Sequence, residues 1–106
     1  MATTKEYIEY VAAQVENYGA VRYRMMFGEY MVYVNDKPIL LVCDNTTFVK
    51  ILPCLDKLMA GEEKGFPYDG AKEHYILNID DAELTRAVVA TLETATPMPK
   101  PKKKQG

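Results

Sequence analysis

Nucleophilic chemistry has few carriers in this chain. It contains no serine, so a serine triad is excluded. A cysteine–histidine pair would have to use Cys43 or Cys54 with His74, the one histidine. Cys43 closes the run Ile39-Leu40-Leu41-Val42-Cys43, an apolar setting that disfavours a thiolate. The cysteines lie eleven positions apart without CxxC spacing, so no zinc ligand set assembles and no metal or cofactor is expected. Both read as reduced, partly buried thiols. The carboxylate pairs Glu62-Glu63 and Asp80-Asp81 are explained by a solvated loop and a helix cap. Gly28, Gly61, Gly65 and Gly70 form neither GxGxxG nor GxxxxGK and serve as turn residues. The expectation is a protein that is not an enzyme and has no catalytic residue. The alternative is a small-ligand or enzymatic site at the 61–74 loop built from Tyr68, Lys72, Glu73 and His74, a group without a matched nucleophile and base.

Charge is divided unevenly. Residues 1–96 hold all fifteen acidic and nine of thirteen basic side chains, leaving −6, while Lys100, Lys102, Lys103 and Lys104 give the end of the chain +4. An acidic body repels a polyanion, so nucleic-acid contact would fall to this tail or to Arg22 and Arg24, two residues apart on one strand face. Four lysines release at most about four counterions, which gives weak, salt-sensitive, non-specific binding. Local pairing of the arginines and a solubilising role for the tail are the simpler readings.

These residues must be positioned by one domain, since 106 residues with 48% apolar and 26% charged content suit a single core. No apolar run approaches the ~20 residues that cross a bilayer, and no signal pattern opens the chain. A cytoplasmic protein without membrane contact is expected. Thr3 and Glu6 have capping-box spacing, and Ile8, Val11, Ala12, Val15 and Tyr18 form the stripe of a helix over 4–18 that Gly19 ends. Period-two alternation then gives a strand at 20–27, and further strands follow at 30–34, at 39–43, which is apolar at every position, and at 46–51, with turns at Asn35-Asp36-Lys37 and Asp44-Asn45. Pro53 to Gly61 reads as a short second helix, 61–73 as a surface loop, and His74 to Ile79 as a fifth strand. Asp80 and Glu83 repeat the capping-box spacing before a third helix ending near Ala95. The expected fold is α+β in two layers: a five-stranded antiparallel sheet, helices on one face, order α-β-β-β-β-α-β-α. The domain spans 1–96, with a disordered proline- and lysine-rich tail over 97–106.

One consequence bears on function. Tyr30, Val32 and Val34 point opposite to Met31 and Tyr33, and all five are apolar or aromatic. Helices cover one face only, so the other would leave such groups in water, as protein interfaces do. These five residues are therefore the candidate interface, and a homodimer packed through it is the preferred reading.

Arg24-Met25-Met26-Phe27-Gly28-Glu29-Tyr30, followed by Val32-Tyr33, resembles the RxMFGxYxLY signature of the TfoX/Sxy family N-terminal domain. Asp44-Asn45-Thr46-Thr47-Phe48-Val49-Lys50 is similar to its DN..(F/Y).K hairpin, and Pro67 to Glu73 with the PKPKKK ending resembles a subgroup of stand-alone short members. Met31 stands where the signature usually has a small residue. The resemblance covers about residues 3–104. It implies a secretion-chaperone-like sheet and a non-enzymatic module that binds an unknown protein partner. Its family name comes from competence and transcription co-regulators in which a C-terminal domain follows, and the short members lack that domain.

Overall fold

Two dipeptides set the architecture. Asn35 and Asp36 take φ of 54° and 67°, and Asp44 and Asn45 take 52° and 54°, the left-handed pair that closes a two-residue hairpin whose twist matches its strands. The computed structural model describes residues 3–26 and 29–97. Among these, strands β1 (Val21–Met26), β2 (Glu29–Val34), β3 (Lys37–Cys43), β4 (Thr46–Lys50), β5 (Lys64–Gly65) and β6 (His74–Ile76) form one antiparallel sheet in the order β1-β2-β3-β4-β6-β5. Helices α1 (Lys5–Val15) and α2 (Ala82–Ala95) complete an α+β domain.

The sheet thus has six strands and two α-helices where five strands and three helices were expected. The additional strand, β5, lies inside the expected 61–73 loop and pairs Lys64 with Tyr75 and Gly65 with His74. The expected second helix is a 3₁₀ turn, Pro53–Leu55, continued by turns. Its bonds are mostly of the i→i+3 kind, with one α-type bond from the Met59 N–H to the Leu55 carbonyl at 2.8 Å. Proline at one end and glycine at the other leave too little length for a stable helix. The stripe still places its residues, because Leu55 and Met59 are fully buried.

Both helix caps fall one residue later than expected. Thr4, not Thr3, caps α1, its Oγ1 accepting from the Tyr7 N–H at 3.1 Å. Thr3 Oγ1 instead accepts from the Asn45 N–H at 3.3 Å, while Asn45 Oδ1 accepts from the Thr4 N–H at 2.9 Å. The start of α1 is therefore tied to the β3–β4 turn. Asp81, not Asp80, caps α2 through the Leu84 N–H at 3.1 Å, and Asp80 accepts a hydrogen bond from the Tyr10 hydroxyl. That bond raises the Tyr10 pKa above its ordinary value. The last turn of α2 has no basic residue of its own. Lys37 supplies the cation: its Nζ donates to the Glu93 carbonyl at 2.7 Å and pairs with the Glu93 carboxylate at 3.4 Å.

Gly19 is where the chain leaves α1 for β1. Its φ of 155° is a backbone region L-residues rarely adopt, and a Cβ there would lie 2.7 Å from the Asn35 amide. That amide is committed, because Asn35 Oδ1 accepts from the Ala20 N–H at 2.9 Å and the Asn35 N–H donates to the Ala20 carbonyl at 2.7 Å. Helix end and hairpin turn are locked to each other.

The register sorts the side chains into two faces. Tyr23, Val32 and Leu40 share one row, Met25, Tyr30 and Val42 the next, and Val34 lies beyond. Against this face pack Ile8, Val11 and Val15 of α1 and Val88, Val89 and Leu92 of α2 in a single core. Val32 and Val34 are fully buried there, which corrects their placement in a free interface. The helices lie over their row and leave the row of Met31 and Tyr33 outside. Tyr30, also on the helix side, is half-buried with its ring edge-on to Tyr23 at 5.6 Å.

Candidate functional site

The open face is organised by one cross-strand row. Register pairs Arg24 with Met31, Met31 with Leu41, Leu41 with Phe48 and Phe48 with Ile76, so the row runs across β1, β2, β3, β4 and β6. After Arg24 every member is apolar. Met31, Leu41 and Ile76 are half-buried and Phe48 is buried, with the His74 ring edge-on to it at 6.3 Å. Tyr33 extends the apolar surface along β2, and the Arg22 guanidinium lies over its ring at 4.3 Å.

Two hollows open along this row. One, of about 430 Å³, is bounded by Met26, Glu29, Tyr30, Met31, Leu41 and the half-exposed Tyr68. The other, of about 330 Å³, involves Met31, Leu41, Phe48, Lys50 and His74 on the sheet and Leu92 and Ala95 on α2. It has a backbone cause. The β2–β3 register shifts between Val32 and Tyr33, a bulge that bends the start of β3. The β3–β4 pairing stops at Leu41–Phe48, and the cleft opens beyond it. Met31 and Leu41 border both hollows, which makes them the centre of the face.

The chemistry of the expected candidates follows from where they sit. Both cysteines are free thiols, Cys43 buried and Cys54 exposed. Burial above all, then the Glu29 carboxylate beside it and Asp44, push the Cys43 thiol up to about 12. That is the opposite of what a nucleophile needs. Tyr68 and His74 border different hollows, so the structure does not gather the 61–74 group into one site. Lys72 and Glu73 are exposed, and Lys72 contributes its carbonyl, 2.7 Å from His74 Nδ1. Arg22 pairs with Asp36, Nε to Oδ1 at 3.3 Å, and both side chains are more than half exposed. Its guanidinium is therefore shared between a carboxylate and a ring, while Arg24 is exposed on the same face. Lys100, Lys102, Lys103 and Lys104 lie outside the described residues, as do Phe27 and Gly28 of the RxMFGxY segment. Among the described residues no group of three or more His, Cys, Asp or Glu could hold a metal ion, and no helix is long and apolar enough to cross a membrane.

Of the five candidate interface residues, the structure keeps Met31 and Tyr33 together on the open face. It adds Leu41, Phe48 and Ile76, which sequence reasoning did not single out. Counting back from the Asp44-Asn45 turn pairs Cys43 with Thr46 and then Leu41 with Phe48, so a signal for two of them was present.

Fold and face together define an α+β domain whose antiparallel sheet is helix-covered on one side and carries an apolar row on the other. The chain is 33% identical over 105 residues to an uncharacterized 12.7 kDa protein in the trpE 5′ region of Spirochaeta aurantia, an alignment covering 97% of this chain and 91% of that protein. It belongs to the same family as that protein. No family model matches the chain, and no solved structure matches it.

Proposed function

We propose that this chain is a non-enzymatic, protein-binding regulatory module of the kind formed by the TfoX/Sxy N-terminal domain, and that its open sheet face packs against a second copy. The observation that carries the reading is the row Met31-Leu41-Phe48-Ile76, apolar across four strands and, among the described residues, with no helix over it. A contiguous apolar row on one surface is the composition of an interface core, and a polar fringe such as Arg22 and Arg24 is that of its rim. The regulatory part rests on the resemblance of residues 24–33 and 44–50 to the TfoX/Sxy signature.

Charge favours a second copy as occupant. Arg22 and Arg24 stand in β1 at one edge of the sheet, and Glu62 and Glu63 lead directly into β5 at the other. A two-fold axis parallel to the strands lays each edge over the opposite edge of the partner, as a self-complementary interface requires.

Light scattering across micromolar to millimolar concentration tests this. The expected mass is twice the 12.0 kDa of one chain. Leu41→Glu, at the centre of the face, is expected to return it to one chain with its circular dichroism unchanged. A wild-type monomer throughout that range, or a Leu41→Glu dimer, overturns the reading.

A further inference from the structure

The cleft between the diverging ends of β3 and β4 differs in charge from the rest of the body. Residues 1–96 carry −6, yet among the described residues the cleft lining contains no carboxylate. Among the described residues its ionisable side chains are Lys50 and His74, register partners on adjacent strands that therefore share one face of the sheet. The rest of the described lining is apolar but for Thr96, with Met31, Ile39, Leu41 and Phe48 from the sheet and Leu92 from α2. At about 330 Å³ the cleft lies at the small end of the range of ligand sites, about 300–1,000 Å³.

From this juxtaposition we propose that the cleft binds a medium-chain acyl carboxylate, with the chain against Leu41, Phe48 and Leu92 and the carboxylate on Lys50. The Lys72 carbonyl, 2.7 Å from His74 Nδ1, can only accept, so Nδ1 carries the proton. His74 then reaches a carboxylate through Nε2, and it donates there only as the imidazolium. Lys50 is the constant cation and sets the preference for an anion. The proposal goes beyond the protein-binding reading and takes every residue named from a single chain, while Leu41 and Phe48 also belong to the row proposed to meet a second copy, so decanoate and a second copy compete there.

The test is titration calorimetry and amide NMR on the full chain with octanoate, decanoate, decanol and decylamine. Decanoate is expected to bind saturably at one per chain, with shifts centred on Phe48, His74 and Leu92. It should bind about tenfold tighter than decanol, the preference a charged hydrogen bond gives. Each methylene from octanoate to decanoate should add about fourfold. Lys50→Gln, at an exposed position that the fold does not need, should reduce decanoate to the level of decanol. Equal affinity for decanoate and decanol, preference for decylamine, undiminished decanoate binding by Lys50→Gln, or shifts confined to other surfaces would overturn the proposal. Light scattering on the same samples keeps the two readings apart, because decanoate can bind a monomer and a dimer can form without decanoate.

Discussion

The two faces of the sheet are built from nearly the same residue types and meet opposite fates. On one, Val32, Val34, Leu40 and Val42 are fully buried against α1 and α2. On the other, Met31, Tyr33, Leu41 and Ile76 are half-buried. Leu40 and Leu41 are neighbours in the chain and identical in chemistry, yet Leu40 is a core residue and Leu41 the half-buried centre of a face that no described helix covers. Apolarity alone therefore does not decide burial. What decides it is which row the helices lie over, and that follows from the caps, turns and crossovers that fix their paths.

Truncation breaks the comparison most directly. Leu40→Ala should cost about 2–5 kcal/mol in urea unfolding, the range for a buried leucine. Leu41→Ala, measured in dilute protein, should cost about 1 kcal/mol or less. Equal losses would mean that the open face is core in solution. Next in size is Gly19→Ala, where the strained φ and the clash with the Asn35 amide should cost about 1–3 kcal/mol by the same measurement. A neutral result would show that helix end and hairpin turn are not locked together.

Cys43 sharpens the contrast because it is an open-face residue that is nevertheless buried. Its thiol titrates higher in the folded chain, at about 12 against an ordinary 9.0. Folding thus favours the protonated thiol: the stabilisation is complete below pH 9 and is lost as pH rises toward 12. At pH 10 the wild type should have lost about 1 kcal/mol relative to Cys43→Ala, referenced to pH 8. Parallel pH profiles for the two proteins would count against it. The smallest effect is expected for Lys37→Met, which removes the cation at the end of α2 and should cost about 0.5–1 kcal/mol. The loss should be reduced at high salt, since Lys37 retains some exposure.

Much of the fold was legible because its signals are local. Asn35-Asp36 and Asp44-Asn45 announce tight turns wherever alternating apolar runs flank them, and both hairpins form there. Ile8, Val11 and Val15 carry enough of a period to specify α1. The caps were displaced by one residue because Thr3-Thr4 and Asp80-Asp81 each offer two chemically equivalent candidates. The Asn45 and Tyr10 contacts that choose between them come from distant parts of the chain. Lys64-Gly65 has no alternation to read, and its strand exists only through its partner β6. The site was half legible. Alternation separates Tyr30, Val32 and Val34 from Met31 and Tyr33, but with both rows apolar nothing local tells which one the helices take. The cleft depends on a bulge at Ile39 beside Pro38, which as a proline in a central strand permits the bulge without dictating the cleft beyond it.

The rims of the sheet carry a consequence of their own. β5 is two residues long, and β1 presents Arg22 and Arg24 beside its unpaired backbone. A short strand and a positively charged one are both poor templates for another chain's backbone. Growth by adding strands edge to edge, the route to fibrils, is thereby discouraged at both margins.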